Sequence, residues 1–218
     1  MGDESYLSRI VDAGQAMGLS IDNLQAEAMQ TYVGQLHKWN RTYNLTAIRQ
    51  PGQMLVQHVF DSLSILPSLD KMLYKKTVSV MDIGAGAGLP GLILAIMRPS
   101  WQVTCVDAVE KKIAFIRQMA GVLALPNLHA THGRVESLES GNADLVISRA
   151  FAALADFAGL AGRHVRPQGW LVAMKGHQPS EEATALEQLT DWRIDHVQAL
   201  HVPELDAQRC LVWMSRKG

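Results

Sequence analysis

Between residues 22 and 43, apolar side chains recur at three- and four-residue spacing. Leu24, Met29, Tyr32, Val33, Leu36, Trp39 and Tyr43 make one stripe behind Asp22, which stands where an N-cap belongs. The pattern predicts a long amphipathic helix. Asn44 then suits a cap or turn into the next segment. A second helix opens at Pro51, carries Met54, Leu55, Val59, Leu63 and Leu66 inward, and is expected to stop before Pro67. A shorter helix is expected over residues 5–17.

From residue 77 the period changes. The runs 77–83 (TVSVMDI), 102–107 (QVTCVD), 127–131 (NLHAT), 143–148 (ADLVIS) and 169–174 (GWLVAM) read as strands. Helical segments at about 89–97, 109–124, 151–164 and 179–191 lie between them. Strands alternating with helices imply an α/β chain with a mostly parallel sheet, helices on both faces. The end differs: RIDHVQALHV, a turn-like PELDAQ and RCLVWMSRK predict an antiparallel hairpin, for seven strands in all. The change near residue 74 divides the chain into a helical region, 1–73, and an α/β domain, 74–218.

With 48% hydrophobic and 19% charged residues, the chain has the balance of a folded protein. No apolar run approaches the ~18 residues that span a bilayer, and MGDESYLSRI lacks the features of a leader, so a cytoplasmic location is expected. Cys105 and Cys210 each fall in a strand-like run and read as buried thiols in a reducing compartment. A net charge of −1 argues against a general nucleic-acid coat but leaves room for a local basic patch.

MDIGAGAGLPG, residues 81–91, concentrates the chemistry. Four glycines in eight residues sit between a strand and a helix, which lets a backbone approach a ligand closely. No Lys–Ser/Thr pair follows them, which removes a P-loop. Gly86, Gly88 and Gly91 satisfy GxGxxG, and Asp107 lies about 20 residues on, so a dinucleotide competes. Asp82 discriminates. A carboxylate two residues before the first glycine works against a pyrophosphate and suits a ligand with positive charge. S-adenosylmethionine fits: Asp82 would orient its methionyl end, Gly84 and Gly86 would admit it closely, and Asp107 would take both ribose hydroxyls.

The same loop resembles that of the glucose-inhibited division protein B family, the bacterial 16S rRNA guanine-N7 methyltransferases. RVESL (134–138), SRAFAAL (148–154), MKG (174–176), and NLTAI with HVFDSL in 44–63 extend the resemblance from about residue 30 to the C-terminal hairpin. It implies a Rossmann-like class I S-adenosylmethionine-dependent methyltransferase fold with an N-terminal helical extension. It places Gly84 and Leu89 in the cofactor loop, Val135 and Glu136 beside the adenine, and Arg149 completing the site. The implied partner is 16S rRNA, within the small ribosomal subunit or an assembly intermediate, at a guanine in the loop of helix 18 near the decoding site. A monomer without metal or membrane association is expected. A small-molecule methyltransferase and a non-catalytic cofactor-binding regulator are the competing readings.

Arg149 follows a strand that ends at the crevice and needs an anionic partner: the methionyl carboxylate, an RNA phosphate or a structural acid. Lys175 ends the next strand and is a weaker positioning candidate. His58, Asp61 and Ser62 share one helical face, where a buried polar staple is preferred to catalysis. His129 and His132 point to opposite faces and lack metal-ligand spacing. The place after the fourth strand reads SRAF rather than an (Asn/Asp)-Pro-Pro-aromatic loop, which disfavours amine targets. Neither cysteine is placed for cytosine C5 chemistry. Basic residues gather at Arg41, Arg49, Lys71, Lys75 and Lys76, and at Arg163 with Arg166, as an expected rim for RNA.

Overall fold

The computed structural model describes residues 6–149, 151, 153–179 and 181–217. A short and a long helix of the expected N-terminal set come first. Helix α1 (Leu7–Ala16) precedes α2 (Asn23–Tyr43), where Asp22 accepts from the Gln25 amide at 2.8 Å while the Gln25 side chain returns to the Asp22 amide at 3.1 Å. That reciprocal box satisfies two donors that helix geometry leaves free. Asn44 ends α2 in the left-handed region at φ 48°, as its side chain allows. Ser5, at the expected start of α1, lies outside the described residues.

The apolar stripe of α2 is buried at Met29, Tyr32, Val33 and Leu36 as expected and departs from expectation at its two ends. Leu24 is 77% exposed and Tyr43 also faces outward, whereas Ala26 and Asn40 are buried. Asn40 belongs inside because its amide donates to Ile48 O and its carbonyl accepts from Thr46 N. The helical run does stop before Pro67, already at Leu63, and Pro67 then lies in the first turn of a new helix. The chain runs through α3 (Pro51–Met54), a π-helical stretch (Leu55–Phe60) and α4 (Asp61–Leu63), then turns into α5 (Leu66–Met72). A proline in the first turn loses no hydrogen bond, so position 67 suits a start as well as a stop.

Strands β1 (Ser79–Ile83), β2 (Gln102–Asp107), β3 (Leu128–His132), β4 (Ala143–Ser148) and β5 (Val165–Lys175) are parallel. β6 (Trp192–Leu200) and β7 (Arg209–Arg216) close one edge antiparallel, in the order β3-β2-β1-β4-β5-β7-β6. Helices α6 (Gly91–Met97), α7 (Glu110–Val122), α8 (Leu154–Ala161) and α9 (Glu182–Leu189) form the crossovers. This is the predicted architecture. Ala150, Ala152 and Ser180, in the SRAF segment and at the expected start of α9, lie outside the described residues.

Alternation along the strands sorts side chains onto two cores. Leu145, Ile147, Leu211 and Trp213 face one core with α6, α7 and the N-terminal helices. Val146, Val212 and Met214 face the other, with α8 and α9. Ile10, Met29, Leu36 and Leu63 join the first core, so the N-terminal helices share it with the sheet. Helix α6 is buried along its whole length. Both cysteines are free and buried. No helix among the described residues is long and apolar enough to cross a membrane.

Candidate functional site

The glycine loop sits at the carboxyl ends of β1 and β2, where parallel sheets open a crevice. Gly84, Gly86 and Gly88 have φ of 68°, 59° and 90°, a region costly for residues with a Cβ. Gly84 and Ala85 amides both donate to Val106 O, at 2.8 and 3.0 Å, pinning the loop to β2. The Tyr32 hydroxyl, reaching from α2, donates to Ala87 O at 3.0 Å. Burial raises the Tyr32 hydroxyl's pKa, so it stays a donor. A Cβ at Gly86 would meet nothing nearer than Gly84 O at 4.0 Å, so that side of the loop is open.

Two cavities flank the loop and share Gly84. One, of about 340 Å³, is lined by Gly84, Asp107, Lys112, Arg134, Val135, Glu136 and neighbours. The other, of about 190 Å³, is lined by Leu45, Thr46, His58, Gly84, Gly86, Leu89 and Arg149 among others. The Gly84 backbone is common to the walls of both. Their linings differ: the larger carries Asp107, Lys112, Arg134 and Glu136, and the smaller carries His58 and Arg149.

Asp107 lines the larger cavity with much of its capacity already used. Its carboxylate accepts from Gly86 N and Val109 N, both at 2.9 Å, and from Lys112 at 3.4 Å. A carboxylate offers about four acceptor positions, so one remains. That leaves room for one hydroxyl, not the two anticipated.

Asp82 corrects the sequence reading more sharply. It is fully buried and lines neither cavity. One carboxylate oxygen accepts from Gly91 N at 2.8 Å, and the other has no partner. Burial pushes its pKa up to about 7, against the lowering effect of the Gly91 bond and of Arg149. The acid thus ties the loop to the start of α6 and does not touch the open site. A Cβ at Gly91 would come within 2.6 Å of Cys105 Sγ and 2.9 Å of Asp82, which is why a glycine stands there.

Arg149 lines the smaller cavity and finds its partner in the N-terminal region. Its guanidinium donates to Asp61 at 3.0 Å and Gln57 O at 3.1 Å. Asp61 accepts in turn from Arg209 at 3.1 Å. A structural acid therefore holds Arg149, with the guanidinium's remaining donors left for the cavity. His58 completes the group: Nε2 lies 2.9 Å from Thr46 Oγ1, and Nδ1 lies 3.1 Å from Gln57 O and 3.3 Å from Arg149. Burial and then the nearby guanidinium depress its pKa to about 4. In either tautomer the neutral ring has both nitrogens occupied; His58 and Asp61 link the helical region to Arg149 and Arg209, while buried Ser62 bonds back to His58 O within its own helix.

A family model described as "rRNA small subunit methyltransferase G" matches residues 25–212. The chain belongs to this family. A Bordetella petrii protein named Ribosomal RNA small subunit methyltransferase G is 59% identical over 95% of this chain and 82% of its own. The Bordetella avium protein of that name is 54% identical over 98% of this chain and 95% of its own. Among solved structures, a SAM-dependent methyltransferase from Aquifex aeolicus matches with a TM-score of 0.58 at 16% identity, over 85% of this chain and 97% of its own. A ribosomal protein L11 methylase from Lactobacillus delbrueckii matches with a TM-score of 0.57 at 15% identity, over 72% of this chain and 79% of its own. At such identities these structures establish the fold, a Rossmann-like class I methyltransferase fold.

The remaining candidates of this family member lie elsewhere. Lys175 pairs with Glu182 at 2.9 Å and lines neither cavity. Glu182 also accepts from Leu154 N, so that pair clamps the start of α8. The expected basic rim divides. Lys75 and Arg166 both pair with Asp144, at 3.2 and 2.8 Å, at the amino end of β4. There the Ser79, Lys75 and Arg166 contacts outweigh burial and hold Asp144 below the usual carboxylate range. That end of the sheet is opposite the glycine loop. Arg41 and Arg49 instead flank the 44–46 turn that lines the smaller cavity. Sequence reasoning missed Tyr32's hydroxyl, Lys112 and Arg209. A phenol inside an apolar stripe was the one available signal, because a buried hydroxyl needs a partner.

Proposed function

We propose that this chain binds S-adenosylmethionine across the two cavities that meet at Gly84 and methylates N7 of a guanine in 16S rRNA, in the helix 18 loop near the decoding site. The observation that carries the reading is the pair of unlike cavities around one glycine backbone. In the larger, Asp107 accepts one ribose hydroxyl, and Val135 and Glu136 border the adenine. In the smaller, Gly86 and Leu89 shape the wall, and Arg149 meets the methionyl carboxylate with the donors that Asp61 leaves free. Asp82 acts beneath the loop, holding its shape. When bound, S-adenosylmethionine supplies an electrophilic methyl group on a sulfonium. The name shared by the family and the Bordetella relatives supports small-subunit rRNA as the acceptor.

The chemistry of N7 suits the residues present. Guanine N7 carries an in-plane lone pair and no proton, so its alkylation needs alignment rather than a base. His58, the one imidazole lining the smaller cavity, is held neutral with both nitrogens engaged. Positioning alone contributes about 7–11 kcal/mol in favourable cases. A substrate presented in fixed shape by the small subunit or an assembly intermediate would also suit a chain of net charge −1.

The test is methyl transfer from labelled S-adenosylmethionine to purified small subunits, deproteinised 16S rRNA and a small-molecule extract. Label should appear in 16S rRNA as 7-methylguanosine, and single-turnover rates should stay nearly flat from pH 6 to 9. Transfer only to small molecules would overturn the rRNA assignment. A log-linear rise with slope near one would overturn N7 in favour of a deprotonated target.

A further inference from the structure

A third cavity, of about 520 Å³, opens where β5 and β6 end and β7 begins, at the same end of the sheet as the glycine loop. Cys210 pairs with Lys175 on β5 and with Ala199 on β6, which sets the level of its floor. Ala199 and Leu200 give it apolar surface, while Gln178, Gln208 and Arg209 supply the polar groups. Such a mixture, at this volume, is that of a site for a small organic ligand.

Arg209 ties this cavity to the site described above. Its Nε donates to Asp61 Oδ1 at 3.1 Å, and Arg149 donates to Asp61 Oδ2 at 3.0 Å. One carboxylate, 3% exposed, thus holds two guanidiniums, each lining a different cavity. Arg209 also donates to Gln208 O from one terminal nitrogen, and its other terminal nitrogen has no partner among the described residues. A guanidinium fixed at one edge and free at the other is preorganised for an oxyanion or a planar ring.

Resting on the proposed rRNA activity, we propose that this third cavity receives the target guanosine, turned out of its stack. The exposed amides of Gln178 and Gln208 then read its Watson–Crick edge, and Arg209 holds an adjoining phosphate. Watson–Crick readout of an unstacked base is how single-stranded RNA is recognised. The division of labour follows from the reaction. An arginine fork on O6 and N7, the common guanine contact, would occupy the lone pair that must attack. Asp61 is accordingly a positioning residue, setting the distance between the cofactor's arginine and the nucleotide's.

Two variants test this in the full-length chain. Ala199→Trp fills the cavity from an exposed position, and the double variant Gln178→Ala with Gln208→Ala removes the amides while keeping the volume. Each should retain the S-adenosylmethionine Kd within about twofold by calorimetry, while kcat/KM for methyl transfer to small subunits falls at least tenfold. If the wild type transfers methyl and both variants match it, the nucleotide pocket is wrong and the rRNA reading stands. If the wild type labels no RNA, the rRNA reading fails and takes the pocket with it. If both variants lose cofactor affinity in step with activity, the cavity supports the cofactor site and the pocket assignment is overturned.

Discussion

Asp82→Asn should flatten the pH dependence of stability. In the folded chain Asp82 is fully buried, with one oxygen on Gly91 N and the other unpartnered, and its pKa lies near 7 instead of 3.8. Between those values the folded state holds a proton that the unfolded state has lost. The stability this group contributes is therefore present in full below pH 3.8 and is lost as pH rises to about 7. About three pH units at about 1.4 kcal/mol each amount to about 4 kcal/mol. Asparagine keeps an acceptor for Gly91 N and carries no charge, so its variant lacks this slope. His58 works the other way: its pKa of about 4 makes stability rise with pH from 4 to 6.5. That contribution is common to both proteins and cancels in their difference. Urea denaturation at pH 5, 6, 7 and 8 measures the result. The variant should gain on the wild type by about 1.4 kcal/mol per unit between pH 5 and 7, then hold level. Parallel profiles across that range would mean that Asp82 is ionised beneath the loop, and the argument for a protonated Asp82 would fail.

Two further outcomes follow from the packing and the charge distribution. Gly91→Ala should lower stability by about 1–3 kcal/mol, because its Cβ meets Cys105 Sγ and Asp82; adding Cys105→Ala should recover part of the loss in denaturant midpoint. Arg41→Ala with Arg49→Ala should make the salt dependence of RNA affinity shallower by about one to two units of log–log slope, whereas Lys75→Ala with Lys76→Ala, at the opposite end of the sheet, should leave it unchanged in filter-binding titrations.

Local pattern determined a great deal. Alternation of period two and recurrence near 3.6 placed all seven strands and the main helices, since each element buries a face set by its own geometry. The glycine loop, Asp107 at the next strand end and the N-cap at Asp22 were legible because their roles depend on residues close in sequence. The basic rim expected at Lys75 and Lys76 did not survive, because both precede β1 and so enter the sheet at the end away from the loop. What periodicity does not encode is which distant side chain meets a charge. Asp61 lies 88 residues from Arg149 and 148 from Arg209, yet one carboxylate holds both. Asp82 shows the same limit within a motif: whether a strand-end acid faces the crevice or the underside of the loop depends on where the glycines turn. Tyr32 looked like one more apolar position until the fold brought Ala87 O to its hydroxyl. Those pairings belong to the tertiary structure, because burying a polar group is favourable only where the packed chain brings it a partner.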